Sequence, residues 1–263
     1  MKTYALTAVC RQLCKLDPNH PYQGSDLEAH IIRDEIEQYK PIIEAHFPPG
    51  TVDVFGLRAE WSHTMILGSG ADQVVLLGAG LDLLAHRYYM RPVTFFEVDL
   101  ASTIAVKRLK LLSTPDDIDL HEHHITYVPC DFESDDFAAL LIEHGIDLTK
   151  PTMFVWLGVS YYLERQTVLN TLRKIKSMGF PEVMIAMDYA LETGSPTSEA
   201  EIKLAQMGEP IKTKFKSIIP DIAKIGFNVF NECSVLSEAL NYGLPIYDGD
   251  ARQLMFAYIS HQS

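Results

Sequence analysis

Between residues 71 and 190 the chain alternates short apolar, β-branched runs with amphipathic stretches of helical period. The runs 73–77, 93–98, 124–129, 151–157 and 182–188 predict strands. The stretches between them predict helices near 82–89, 100–112, 134–143 and 164–178. Repeated β-α order of this kind predicts a mostly parallel sheet with helices on both faces. Residues 1–70 read as a helical extension. A short helix or coil leads into the turn Asp17-Pro-Asn-His-Pro21, and Ser25-Asp-Leu-Glu28 then has the N-cap chemistry of a helix start. Pro41 falls inside that helical pattern and predicts a kink or restart there. A further helix spans about 52–69 and stops at Gly70. Beyond residue 215, helices near 216–225 and 234–241 each precede an apolar run, 227–231 and 253–259. Two strands so close in sequence predict an antiparallel pair at the sheet edge.

The polar stretch 190–214, with Gly194-Ser-Pro196 and Gly208-Glu-Pro210, interrupts this order. Connections at the carboxyl ends of parallel strands line the ligand crevice of an open α/β sheet, so the stretch is read as a substrate-side cap. The whole chain, 1–263, is expected to form one domain: extension 1–70, core 71–189, cap 190–214 and edge strands 215–263.

The first strand ends in Gly78-Ala-Gly80-Leu-Asp82, and the second ends in Phe96-Glu-Val-Asp99, 21 positions after Gly78. Glycines that admit a ligand to the backbone, followed by a strand-end carboxylate, make a nucleotide-type cofactor site. Asp99 is the candidate for the ribose hydroxyls. Glu97, on the same side two residues earlier, is a second acid, and one of the two is expected to be structural. A dinucleotide fingerprint carries a third glycine where this chain has Leu83. Asp82, at the start of the helix expected there, would put negative charge where a pyrophosphate sits. A cofactor without phosphate fits better.

Further candidates follow the later strands. Asp131 can accept from an adenine amine and Phe132 can cover the ring, although Asp131 also suits a plain turn or N-cap. Leu157-Gly158 brings backbone close to a ligand after the fourth strand. Tyr161 and Tyr162 are candidates to orient a substrate, with Tyr189 behind them, and packing is their other reading. Arg58, in the helix before the first strand, suits a carboxylate or a surface salt bridge.

Net charge is −13 and the sequence pI about 5.1, which argues against a nucleic-acid partner. The four cysteines are scattered like reduced intracellular thiols. No leader-like or 18-residue apolar segment occurs, so a cytoplasmic protein without a membrane partner is expected. No metal is expected. His121-Glu-His-His124 is read as a solvated turn, and Cys10, Cys14 and His20 fall short of a ligand set.

Taken together, Gln73-Val-Val-Leu-Leu-Gly-Ala-Gly-Leu-Asp82, His86-Arg87, Phe96-Glu-Val-Asp99, Lys107-Arg108, Asp131, Pro151-Thr152 and Gly158-Val-Ser-Tyr-Tyr-Leu163 resemble the leucine carboxyl methyltransferase-like superfamily. The Trp-Leu-Gly-Val form after strand four looks nearer to its bacterial polyketide O-methyltransferase members. The resemblance spans about Gly56 to Phe227. It implies a class I methyltransferase, Rossmann-like sheet and S-adenosylmethionine as methyl donor, leaving S-adenosylhomocysteine. It would place Gly78, Gly80 and Leu157 along the cofactor, Asp99 at the ribose, Asp131 and Phe132 at the adenine, and Arg58 at the methionine carboxylate. Leu157 stands where leucine carboxyl methyltransferases proper carry an acid. The leading function is O-methylation of a small-molecule hydroxyl or a carboxylate. Protein C-terminal carboxyl methylation, a binding module without catalysis and an NAD(P)-dependent oxidoreductase are the competing readings. Oligomeric state is not legible.

Overall fold

The computed structural model describes residues 3–47, 50–115, 120–194, 199–206, 208–244 and 254–262. Ser195, Pro196 and Gln253, included in the segments above, lie outside them. The extension forms α1 (Thr3–Lys15), α2 (Asp26–Ile31), α3 (Arg33–His46) and α4 (Thr51–Ser69). The core follows as β1 (Gln73–Leu77), β2 (Thr94–Asp99), α5 (Ala101–Leu112), β3 (Ile125–Pro129), α6 (Phe137–Glu143), β4 (Thr152–Trp156), α7 (Arg165–Ser177) and β5 (Glu182–Ala190). Then come α8 (Glu199–Gln206), α9 (Ile219–Ile225), β6 (Asn228–Ser234), α10 (Val235–Asn241) and β7 (Leu254–Gln262).

The strands join in the order β3-β2-β1-β4-β5-β7-β6. The first five are parallel, and β7 runs antiparallel between β5 and β6. This is the Rossmann-like sheet of a class I methyltransferase with its terminal antiparallel pair. The order reverses between β1 and β4, so a crevice opens at their carboxyl ends.

Side chains of successive strand residues face opposite sides of the sheet. Val75, Leu77, Phe96, Val98, Phe154 and Trp156 pack with Leu141 of α6, Leu172 of α7 and Ile222 of α9. Val74, Leu76, Phe95, Met153 and Val155 pack with Leu57 and Trp61 of α4 and Val235 of α10. Trp61 stacks on Phe256 of β7, with ring centroids 4.6 Å apart and planes 12° apart. That contact ties α4 to the sheet.

A third cluster joins Leu6 and Val9 of α1 to Ile31, Ile32 and Ile43, and it takes in Leu81 and Leu83 from the glycine turn. Leu83 is therefore a packing residue that clamps the turn to the extension. Among the described residues no helix is long and apolar enough to cross a membrane.

Two expectations are corrected. The stretch 82–89 is not an α-helix: only a 3-10 turn forms, at Ala85–Tyr88. The Asp82 carboxylate accepts from the Leu84 N–H at 2.8 Å, so it closes a local turn instead of starting a longer helix. The extension also breaks at Ile32, and no restart occurs at Pro41. Ile32 adopts φ −110° and ψ 20°, which buries Ile31 and Ile32 together, and α3 continues through Pro41.

Replacing Trp61 by Ala removes the stacked contact and leaves a cavity between α4 and the sheet. The expected loss is about 3–5 kcal/mol, measured by denaturant unfolding.

Candidate functional site

At the carboxyl ends of β1 and β4 a cavity of about 440 Å³ opens. Arg58, Gly78, Gly80, Asp99, Asp131, Phe132, Leu157, Tyr161 and Tyr162, all singled out from sequence, line it. The fold brings them together from five separate stretches of chain.

Gly78 (φ +79°) and Gly80 (φ +53°) both take a left-handed backbone that favours glycine. A Cβ on Gly78 would lie 2.3 Å from a Val159 methyl. The Asp99 carboxylate accepts from the Gly80 N–H at 2.8 Å and from the Leu100 N–H at 2.7 Å. These bonds hold the strand-end acid against the turn while it still lines the cavity. Burial pushes its carboxyl up from the ordinary value, partly offset by the two amides.

Glu97 is the structural acid of the pair. It is fully buried and joined to Lys107, whose ammonium also donates to the Asp82 carbonyl. Lys107, part of the motif quoted above, thus braces the turn from beneath. Asp82 in turn lies 3.6 Å from Arg11 of α1. Arg11 is held by Glu28, which also accepts from Gln12 and Tyr22. The negative charge of Asp82 is therefore paired. A pyrophosphate is disfavoured for another reason: no α-helix begins at the turn to receive one.

Arg58 is buried, not at the surface. Its guanidinium donates at 3.0 Å to the Asp188 carboxylate on β5 and at 3.0 Å to the Tyr161 hydroxyl, and it lies over the Phe55 ring at 4.9 Å. Asp188 also accepts from the Gly158 N–H at 2.8 Å. Gly158 takes φ +74°, and a Cβ there would sit 3.0 Å from the guanidinium. Leu157 lines the wall beside it without contributing a charge.

Asp131 has the turn role. It accepts from the Glu133 N–H at 2.9 Å, with its carboxylate exposed at the cavity rim beside half-buried Phe132. The rings of Tyr161 and Tyr162 meet edge to face at 4.7 Å, and burial holds both phenols above their ordinary value. Tyr189 is elsewhere, donating to Glu232 of β6.

Sequence reasoning missed two contributors. Asp188 is an acid deep within the apolar run that follows Glu182, and such a residue when buried demands a cation. That was the signal available. The other is α1, which faces the stretch read as a cap across the cavity. Thr3, Tyr4, Thr7 and Arg11 of α1 line the cavity from one side, and Glu201, Leu204, Glu209 and Ile211 from the other. The Thr3 hydroxyl donates to Glu209 and joins the two sides.

Outside the cavity, Cys14, His20 and Asp53 bring their ligand atoms within 4.8 Å of one another. His20 Nδ1 accepts from the Tyr22 N–H at 3.0 Å, which leaves the neutral ring's proton on Nε2. The Cys14 thiol donates to the Val52 carbonyl, and burial raises its pKa. In this arrangement the thiol is held protonated and not as the thiolate that binds a metal, and the His20 Nε2 is buried without a hydrogen-bond partner. In the histidine cluster, Tyr89 stacks on His121 at 4.1 Å and His124 Nε2 meets the Ala85 carbonyl at 2.9 Å, so these rings pack on the 85–89 turn.

The family model for leucine carboxyl methyltransferase matches residues 27–176. A Bacillus subtilis protein named as a candidate S-adenosyl-L-methionine-dependent methyltransferase, YktD, is 36% identical over 155 residues, 56% of this chain and 50% of that protein. A Streptomyces coelicolor protein named for the same class is 31% identical over 52% of this chain and 46% of its own length. The chain spans about half the length of the curated relatives it matches. Among solved structures, a methyltransferase candidate from Thermobifida fusca aligns with TM-score 0.61 and 15% identity over 94% of each chain. A DUF574 family protein from Streptomyces avermitilis aligns with TM-score 0.64 and 13% identity, over 94% of this chain and 97% of that one. At these identities the structural likeness speaks for the fold alone.

Replacing Asp188 by Ala leaves the Arg58 guanidinium buried and unpaired. The expected loss is about 3–5 kcal/mol of folding stability, read by denaturant unfolding.

Proposed function

The chain belongs to the leucine carboxyl methyltransferase family, and from that premise we propose that the crevice binds S-adenosylmethionine and transfers its methyl group to a carboxylate borne on an apolar body. The observation that carries this reading is the convergence, in one cavity, of the glycine turn, the strand-end acid Asp99 and the buried cation Arg58. The residues present fit that donor. The left-handed glycines admit it close to the backbone, Asp99 keeps lone pairs for the ribose hydroxyls, and Asp131 with Phe132 suits the adenine. Arg58 has guanidinium donors besides the one held by Asp188 and Tyr161, and these suit the methionine carboxylate.

S-adenosylmethionine supplies a methyl group on a positively charged sulfur, already a good leaving group. The protein's share of the work is then alignment and exclusion of water. The roof of α1 with Glu201, Leu204, Glu209 and Ile211 closes the cavity on both sides, and Phe55, Val54, Leu204 and Ile211 give the acceptor apolar walls. Tyr161 and Tyr162 orient the acceptor.

A carboxylate is ionised near neutral pH and needs no base. Among the described lining residues there is no histidine and no lysine, and burial keeps both tyrosines protonated. Burial likewise pushes the Cys130 thiol up to about 12. These features favour a carboxylate over a hydroxyl, and the family description favours a terminal carboxyl such as that of a protein. A net charge of −13 supports neither DNA nor RNA as acceptor. A small-molecule hydroxyl is the second reading, with Glu209 in the cavity wall as the group that would take its proton.

The two readings give different products. Incubation with methyl-labelled S-adenosylmethionine and a panel of peptides with apolar C-termini, apolar monocarboxylic acids and phenols is expected to give a product that releases methanol in mild alkali. An alkali-stable product made from a phenol would replace the carboxylate reading with the hydroxyl one. Asp99→Ala is expected to weaken S-adenosylhomocysteine binding at least tenfold by calorimetry, and unchanged affinity would remove Asp99 from the ribose.

A further inference from the structure

Asp188 has no contact with the cavity itself, yet the groups that do have one are arranged around it. One carboxylate oxygen accepts from Arg58 and the other from the Gly158 N–H, at 3.0 and 2.8 Å. Its backbone carbonyl accepts from the Ser160 hydroxyl at 2.6 Å, at the start of the turn that carries Tyr161 and Tyr162. The Tyr161 carbonyl accepts from the Lys212 and Thr213 N–H groups, at 2.8 and 3.2 Å, where the cap returns to the core. Asp188 itself is wholly buried.

We propose that Asp188 is a positioning residue of the donor site: by holding one terminal nitrogen of the Arg58 guanidinium and the Gly158 amide, it sets the angle at which Arg58 meets the carboxylate of the bound donor.

The geometry supports this over a packing role. A guanidinium is planar, and tying one nitrogen to both Asp188 and Tyr161 with the Phe55 ring against its plane restricts the direction of the others. Gly158 packs closely against the guanidinium, where a Cβ would sit 3.0 Å from its nearest nitrogen, and so walls it on that side. A plain packing residue in this strand would be apolar, like Ala186 and Met187 before it. The inference rests on the donor reading given above and goes beyond it in naming what aims Arg58.

The test separates the two. Calorimetry on the full chain compares S-adenosylhomocysteine with its decarboxylated analogue, which keeps the adenosine and sulfur but lacks the carboxylate. In Asp188→Asn, the isosteric amide still accepts from Gly158 but presents no anion to Arg58. Affinity for S-adenosylhomocysteine is expected to fall at least tenfold, and affinity for the decarboxylated analogue less than threefold. Equal losses for both ligands, or no loss for either, would overturn the proposal, because Asp188 would then act on the fold or not at all. Wild-type protein that binds neither ligand would overturn the donor reading and this proposal with it. Should Asp188→Asn not fold, Asp188→Glu keeps the buried charge while displacing the guanidinium. The same ligand-selective loss is expected of it, and an equal loss for both ligands would again overturn the proposal.

Discussion

The ion pair between Arg58 and Asp188 joins parts of the molecule that the sheet alone would leave independent. Arg58 belongs to α4, in the extension, and Asp188 to the end of β5. Both are buried, so each charge has given up water and is tolerable only while the other is in place. The docking of α4 across the sheet, reinforced by the Trp61–Phe256 stack, is thereby coupled to the geometry of the loop after β4. A cation inside an apolar wall is expensive to maintain. It is also what an anionic ligand group can use, because it is strong in a low-dielectric cavity and needs no rearrangement when the ligand arrives.

The glycine turn depends on the extension in a parallel way. In many nucleotide-binding sheets such a turn opens into a helix whose N-terminus holds phosphate. Here Leu81 and Leu83 are buried among α1 and α3, and Lys107 holds the turn's carbonyl from below. Arg11 balances Asp82 from above. The turn is kept in place by packing and ion pairs from neighbouring elements, which leaves its glycine face open to the cavity. The N-terminal helices are thus part of the site's construction, and α1 supplies part of its roof.

The parallel strands, their order along the chain and the terminal antiparallel pair were legible because each rests on a local pattern. Apolar runs of strand length end in turn residues, and two late runs lie too close for a crossover. The stretch 82–89 misled because its apolar spacing has helical period, while the local bond from Asp82 to the Leu84 amide competes with helix formation. No restart occurs at Pro41; the break lies at Ile32, where Ile31 and Ile32 are both buried. Asp99, Asp131 and the glycines could be read because strand ends announce them. Asp188 could not be placed in the site, since its partner lies 130 residues away in the chain. The Glu209 contact with Thr3 spans still more chain, and no local signal points to it.

The central proposal is that this crevice takes an adenosyl sulfonium and not a dinucleotide. Calorimetric titration of the wild-type protein with S-adenosylhomocysteine and, separately, with NAD tests it most directly. A single saturable site is expected for S-adenosylhomocysteine and no measurable heat of binding for NAD. Tight binding of NAD with none of S-adenosylhomocysteine would contradict it.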